Sequence, residues 1–384
     1  MRKQIYLDHA ATTPVSTPVL QAMLPFFSLC YGNASAVYGP GREARRAVEN
    51  ARKQVACAIG SETREILFTS GGSESDNLAV KGTAFALQDK GRHLITTAIE
   101  HPAVLNTCQW LEKKGFEVTY IQPDHEGQIY PEQIEKAIRK DTILISVMAA
   151  NNEIGTIEPV ADIGMIAREH GILFHTDAVQ AAGSIPVDVN SWNADLLSIS
   201  AHKFYGPKGT GALYIRNGTR IDNLIHGGEQ ERGLRAGTEN VPGIVGMGKA
   251  IEEATGHLLE NARKTAMLRN RLTDGILCSI PDTHLNGPQN NRLPNNCNIR
   301  FDRIDGEALL LRLDLAGIAG SSGSACTSGS QKISHVLRAV GLNEKEAKGS
   351  LRLTTGISNT EEEIDDAVGI ITRIVADLRS MYHG

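Results

Sequence analysis

Ile199-Ser200-Ala201-His202-Lys203-Phe204-Tyr205-Gly206-Pro207-Lys208-Gly209 follows a short apolar run, Ala194-Asp195-Leu196-Leu197-Ser198-Ile199, and opens into a Gly/Pro-rich turn. That order puts Lys203 at the end of a buried strand, held close to its neighbours. Upstream, residues 171–177 read as a second buried strand, which ends on Thr176-Asp177-Ala178-Val179-Gln180. The carboxyl ends of neighbouring strands are where an open α/β sheet gathers its ligands, so an amine and a carboxylate are expected together there.

The same grammar extends outward in both directions. Residues 66–69 form a short strand that runs into Ser70-Gly71-Gly72-Ser73-Glu74-Ser75-Asp76-Asn77 and a helix through Ala86. A strand, a Gly/Ser turn and a helix start make an anion site, because the first turn offers unpaired N–H groups and the positive end of the helix dipole. The segment matches neither the Walker pattern nor G-x-G-x-x-G. Ser73 as a plain N-cap with Asp76 as its partner is the competing reading. Residues 93–97 form a strand ending at Glu100-His101-Pro102, and 117–121 form another. The apolar run 142–148, suited to a strand covered on both faces, ends at Asn151-Asn152-Glu153-Ile154-Gly155. Residues 211–215 add a further strand.

Successive strand ends therefore present Ser73, His101, Asn152, Asp177 and Lys203, and the fold class is α/β with a doubly wound, mostly parallel sheet. The glycine- and charge-rich loop 226–240 is not expected to be core. One long helical stretch, 243–276, leads to a region of different texture, with a strand at 297–301 and helices around 307–313 and 360–379. The expected division is a large domain, 13–255, and a smaller α+β domain made of 1–12 and 256–384.

The bulk numbers narrow the function class. With 384 residues, 41% hydrophobic and 22% charged, the composition is that of an ordinary globular protein. The net charge of -5 argues against nucleic acid as the main partner. No apolar run approaches the ~20 residues needed to span a bilayer, and the N-terminus lacks a signal-peptide core, so a cytoplasmic location is expected. The six cysteines contain no C-x-x-C pair, so neither a zinc site nor a disulfide framework is indicated.

Two pieces of chemistry remain. A lysine for an aldehyde and an aspartate for a pyridinium nitrogen are the groups that pyridoxal phosphate most needs, although a surface lysine and a strand-end cap would look the same in sequence. Cys326 sits in Gly320-Ser321-Ser322-Gly323-Ser324-Ala325-Cys326-Thr327-Ser328-Gly329-Ser330, which gives it no apolar cover. An accessible thiol on such an arm suits a nucleophile that reaches a site and leaves carrying something; an innocent linker cysteine is the alternative. Arg352 lies in a strand-like run, 350–356, where its fork could hold a carboxylate in two parallel hydrogen bonds; an ordinary surface arginine is the competing reading.

Together these segments resemble a known family, the cysteine desulfurases of the NifS/IscS type. These are class V aminotransferase-family pyridoxal-phosphate enzymes with the aspartate aminotransferase-like fold (fold type I). The resemblance runs from Tyr6-Leu7-Asp8-His9-Ala10-Ala11-Thr12-Thr13 through Thr69 to Ser75, Glu100-His101, 151–155, 177–180, 200–203 and Arg235-Ala236-Gly237-Thr238-Glu239-Asn240 to 321–327. It implies that Lys203 bonds the coenzyme aldehyde and moves protons, that Asp177 pairs with the ring nitrogen, and that Gln180 bonds the ring's phenolic oxygen. His101 would stack on the ring and act as acid/base, Asn152 would line it, and Gly72, Ser73, Ser200 and His202 would hold the phosphate. Thr238 would reach the phosphate of the other subunit, which implies a homodimer.

Asn33 and Arg352 would bind the carboxylate of L-cysteine, the implied substrate. Cys326 would take its sulfur as a persulfide, leaving L-alanine, for a sulfur acceptor protein such as an iron–sulfur scaffold. No resident metal is implied; Cys326 is a candidate transient ligand of an iron–sulfur species. Ser73 stands where many members have threonine, and Tyr38 where histidine is expected. A selenocysteine lyase and a non-catalytic partner-binding subunit on the same fold are the alternatives.

Overall fold

The structure is a computed structural model that describes residues 4–322 and 333–381. Its strands are β1 (Ile5–Tyr6), β2 (Ile66–Thr69), β3 (His93–Thr97), β4 (Glu117–Ile121), β5 (Thr142–Ser146), β6 (Leu173–Asp177), β7 (Leu196–Ser200), β8 (Gly211–Ile215), β9 (Thr283–Leu285), β10 (Asn296–Phe301), β11 (Ile318–Ala319) and β12 (Ser350–Thr354). A seven-stranded sheet takes the order β2-β8-β7-β6-β5-β3-β4. Only β8 in it pairs antiparallel with its neighbours; the other pairings are parallel. Strands β2, β3, β5, β7 and β8 are buried along their whole length, as a sheet covered on both faces requires.

Side chains alternate between the two faces. Phe68, Ile95, Ile145, Phe174, Leu197 and Tyr214 join the core under the helices Gly39–Ala58 and Val241–Gly256. Leu67, Leu94, Leu144, Leu196 and Leu213 join a separate core under the helices Gly72–Ala86 and Pro102–Glu112. The first pair of helices lies very close together: a Cβ on Gly248 would fall 2.7 Å from both Cα and Cβ of Ala51. A larger residue at 248 would force the helices apart.

A smaller antiparallel sheet, β9-β10-β12 with β10 in the middle, packs under the helices Leu258–Ser279, Gly306–Ala316 and Glu361–Met381. Ile5 and Leu7 are buried in that core, and β1 pairs in parallel with β11. Val336, Leu337 and Val340 instead join the core under the large sheet. The single helix expected over 243–276 is two helices, Val241–Gly256 and Leu258–Ser279, broken where His257 takes φ -116° and ψ 17°. Gly256, the residue before the break, is a poor helix former, so the chain can turn there cheaply.

Loop 226–240 also departs from expectation, because one of its charges is core. Glu231 takes both Arg52 guanidinium nitrogens at 2.7 Å and accepts the N–H of Phe68 on β2 at 2.9 Å. Both partners are almost fully buried. Glu231 and Arg232 have φ of +46° and +59°, a backbone region unfavourable to their side chains that the buried ion pair holds in place.

Candidate active site

The carboxyl ends of β2, β3, β5, β6 and β7 converge, and each delivers its polar group from the turn that follows. Asp177, the last residue of β6, is buried, and its Oδ1 accepts the N–H of Val179 at 2.9 Å. Its other oxygen is left for a ligand. Burial pushes this carboxyl up, while His101, the Val179 N–H and Lys203 oppose that push.

His101 caps the helix Pro102–Glu112, with Nδ1 accepting the N–H of Ala103 at 3.1 Å. A ring nitrogen of His101 and a carboxylate oxygen each of Asp76 and Asp177 lie within 4.8 Å of one another. Burial lowers the imidazole's proton affinity, so it stands beside the aspartates as a ring able to take a proton. Just before it, Glu100 binds the Thr97 hydroxyl at 2.7 Å and the Met148 N–H at 3.0 Å, fixing the turn after β3 to the end of β5.

The Lys203 turn is wrapped by the N-terminal segment around Ala10 to Thr13. Thr13 donates its N–H and hydroxyl to the His202 carbonyl at 2.9 Å, and the Tyr205 N–H returns to the Thr13 hydroxyl at 2.8 Å. The Lys203 amine donates to the carbonyls of Ala10 and Ala11, the second at 2.8 Å. Gln180 Nε2 donates to that same Ala10 carbonyl at 3.0 Å. His202 meets the Thr12 hydroxyl at 3.2 Å, and burial, reinforced by Lys203 and Lys208, lowers its pKa to about 4. It is therefore uncharged at neutral pH.

The Gly/Ser turn after β2 is built from close backbone approach. The helix Gly72–Ala86 starts after Gly71, not Ser73, so the capping reading of Ser73 and Asp76 does not hold. Gly71 has φ +152°, and a Cβ on Gly72 would sit 2.7 Å from Val179 Cγ2. Ser200 is buried at the end of β7 beside these glycines, whereas Ser73 is exposed at the first turn of the helix. Glu74 ties the turn down through the Ser70 N–H at 2.9 Å and Arg235 at 2.9 Å.

Arg352 reaches the same region from β12. Its Nη1 donates to the Asn152 carbonyl at 3.0 Å and its Nη2 to Asp8 at 2.9 Å. Asn33 is exposed and its Oδ1 accepts the Ser35 N–H at 2.9 Å, with no recorded contact to Arg352. Thr238 is exposed on its loop, and Tyr38 is exposed at the start of the helix Gly39–Ala58. Cys326 lies outside the described residues.

Sequence reasoning missed four groups here. Asp8 and Glu100 stand inside motifs that were recognised, but their partners lie far along the chain. Asp76 and Glu153 are buried acids that no local pattern marks as inward-facing. Glu153 takes the Ser334 hydroxyl at 2.5 Å, and burial raises its pKa to about 7.

The donors present fit pyridoxal phosphate: a buried carboxylate with an open oxygen, an amine at a strand end, and a glycine-lined helix start where an added Cβ would clash. A sheet of this order, with a lysine and an aspartate on adjacent strand ends, defines an α/β enzyme built around that coenzyme. The family model for aminotransferase class-V matches residues 5–367. Cysteine desulfurase IscS of Methanosarcina thermophila is 55% identical over 99% of this chain and 94% of its own. The same-named protein of Dictyoglomus turgidum is 53% identical over 99% and 97%. A solved structure described as a NifS-like protein superposes with a TM-score of 0.92 at 42% identity, covering 98% of this chain and all of that one. The chain thus belongs to the class-V aminotransferase family and, within it, to the cysteine desulfurases. A further solved relative, SspA in complex with cysteine, gives a TM-score of 0.83 at 41% identity, covering 93% of this chain and 100% of that one.

Proposed function

We propose that this protein removes sulfur from L-cysteine, leaving L-alanine and a persulfide on Cys326 that passes to an acceptor protein such as an iron–sulfur scaffold. The observation that carries the reading is the convergence of Asp177, His101 and Lys203 at adjacent strand ends, with the Arg352 guanidinium beside Asn152. Bound pyridoxal phosphate supplies a ring that accepts the electron pair released at the substrate α-carbon. Asp177 would face the ring nitrogen and keep it protonated, and Gln180 would face the phenolic oxygen. His101 and Asn152 would line the ring, while Gly72, Ser73, Ser200 and His202 would hold the phosphate.

Arg352, helped by Asn33, binds the substrate carboxylate and so places the α-hydrogen before the Lys203 amine. Lys203 takes that proton and returns it; His101 holds a proton near the substrate thiol. The Cys326 thiolate attacks the substrate sulfur, so that an S–S bond forms as the C–S bond breaks and the carbon side leaves as alanine after protonation.

A homodimer completes the site, with Thr238 reaching the partner's phosphate. The exposed apolar side chains of Leu24, Phe27, Leu29, Tyr31 and Val37, all in one stretch, support a covered face there. The division into 13–255 against 1–12 with 256–384 is proposed with it, as is a cytoplasmic location; among the described residues no helix is long and apolar enough to cross a membrane. The test is to mix the protein with L-cysteine and a reductant and measure alanine and sulfide together. Equal amounts of both, abolished in Cys326→Ala, support the reading. Alanine and sulfide at background level in the parent protein overturn it.

A further inference from the structure

Asp76 is a fully buried carboxyl on the helix Gly72–Ala86 that no step above uses. Its Oδ1 has no hydrogen-bond partner among the described residues, and the nearest ring nitrogen, His175 Nε2, is 3.6 Å away. Asp177, on the neighbouring strand end, presents a carboxylate oxygen within 4.8 Å of it. Two carboxyls this close and this dry cannot both be ionised, because each charge loses its hydration and repels the other.

The neighbours decide which one keeps its proton. His175 faces Asp76 from β6, but its Nδ1 is taken by the Ser146 hydroxyl at 2.8 Å and its Nε2 by the Ser198 hydroxyl at 3.0 Å. Burial holds that ring uncharged, with a pKa of about 3, so it offers Asp76 no positive charge. Glu100, from the turn after β3, adds only a further acid. His101, from the same turn, and Lys203, from the turn after β7, both favour charge on Asp177. Burial first and Asp177 second push the Asp76 carboxyl well up, and the hydrogen bond from the Ser198 hydroxyl opposes them without reversing the shift.

We propose that Asp76 is a positioning residue of the active site: an uncharged carboxyl beside Asp177 whose proton keeps the pair at a single negative charge facing the coenzyme ring. The proposal rests on the reading of Asp177 as partner of the ring nitrogen. Loss of the Asp76 proton would put a second negative charge behind that nitrogen, and the coenzyme's light absorption would respond.

Infrared spectroscopy of the wild type at neutral pH, with and without coenzyme, is expected to show protonated-carboxyl absorption that falls by one carboxyl in Asp76→Asn, since the raised Glu100 and Glu158 contribute equally to both proteins. Asp76→Asn keeps the uncharged shape but has no proton to lose. The alkaline change in coenzyme absorbance should vanish in it or move up by at least about one pH unit, the scale of a single neighbouring charge. An unchanged band, or superimposable absorbance titrations, would overturn the proposal. A measurement that needs no variant is carboxyl-carbon NMR of the wild type labelled in aspartate. One aspartate should be protonated at pH 7, and finding none overturns the idea. Failure of the desulfurase reading shows separately, as absent alanine and sulfide, and leaves the infrared band in place.

Discussion

The carboxylate of Asp8 meets the guanidinium of Arg352 at 2.9 Å, although 344 residues separate them in the chain. Nη1 of the same arginine is spent on the Asn152 carbonyl, and its Nε is buried without a partner among the described residues. The fork is thereby held in one orientation before any substrate arrives. Asp8 is itself pushed up by burial, with Arg352 opposing, so on the proposed reading an entering carboxylate would exchange one acidic partner of the arginine for another.

Arg352→Lys should therefore weaken substrate binding and leave turnover mostly intact. A point charge cannot make two parallel hydrogen bonds, and losing one charge-assisted bond costs about 1.5–3 kcal/mol. KM for L-cysteine is expected to rise by about tenfold or more, with kcat changed less than about threefold. Steady-state alanine formation measures both. An unchanged KM would remove Arg352 from the substrate site.

Asp177→Asn should keep the fold and lose the chemistry. The amide can still accept the Val179 N–H, but it cannot hold a positive ring nitrogen. Alanine formation is expected to fall by about 10²–10³, the usual scale for removing one preorganised electrostatic group. Thermal unfolding without coenzyme should shift little, which separates the loss from a folding defect.

Removing Arg52 strands Glu231 as a lone buried charge beneath the loop that carries Thr238. Breaking a buried pair in this way costs about 3–5 kcal/mol, so Arg52→Ala should lower the urea midpoint strongly. Replacing both partners with apolar residues should recover much of that loss. A double variant no better than Arg52→Ala would show that the pair also does work on the loop's backbone.

The buried acids set a pH dependence of opposite sign to the usual one. Burial raises Glu158 to about 8 and Glu100 to about 8, so the folded protein holds their protons through a range where the unfolded chain has released them. Stability is thus expected to fall as pH rises from the ordinary carboxyl range to about 8. His9 and His202, lowered to about 4, act the other way between that value and the ordinary histidine range. Above about pH 6.5 only the acids still titrate, and stability should decline towards pH 8. Glu158 accepts from Ile129 and Gln128 away from the active site, so Glu158→Gln should flatten that decline without altering turnover. Unfolding midpoints at a series of pH values check it, and an unchanged slope would remove Glu158 from the account.

The sheet was readable because a strand buried on both faces has to be an apolar run, and β2, β3, β5 and β8 fall where those runs lie. The gathering of His101, Asp177 and Lys203 was readable for a related reason: parallel strands point their carboxyl ends the same way, so residues just past each run arrive together. Breaks that depend on weak local preference, such as the one at His257, were not. Nor was the burial of Glu231 or Asp76, since a charged residue reads as solvated until its partner in space is known.

What the amino-acid order determined by itself is the set of elements and the chemistry waiting at their ends: Lys203 after one strand, Asp177 after another, glycines at the start of the helix Gly72–Ala86. Those follow from periodicity and from turn residues, which act over a few positions. What only the tertiary structure decided is which distant groups share a carbonyl, a proton or a charge: Lys203 with Gln180 on Ala10, Arg352 with Asp8, Arg52 with Glu231, Asp76 with Asp177. Electrostatic and hydrogen-bonding partners are set by distance and burial, and both exist only once the chain has closed on itself.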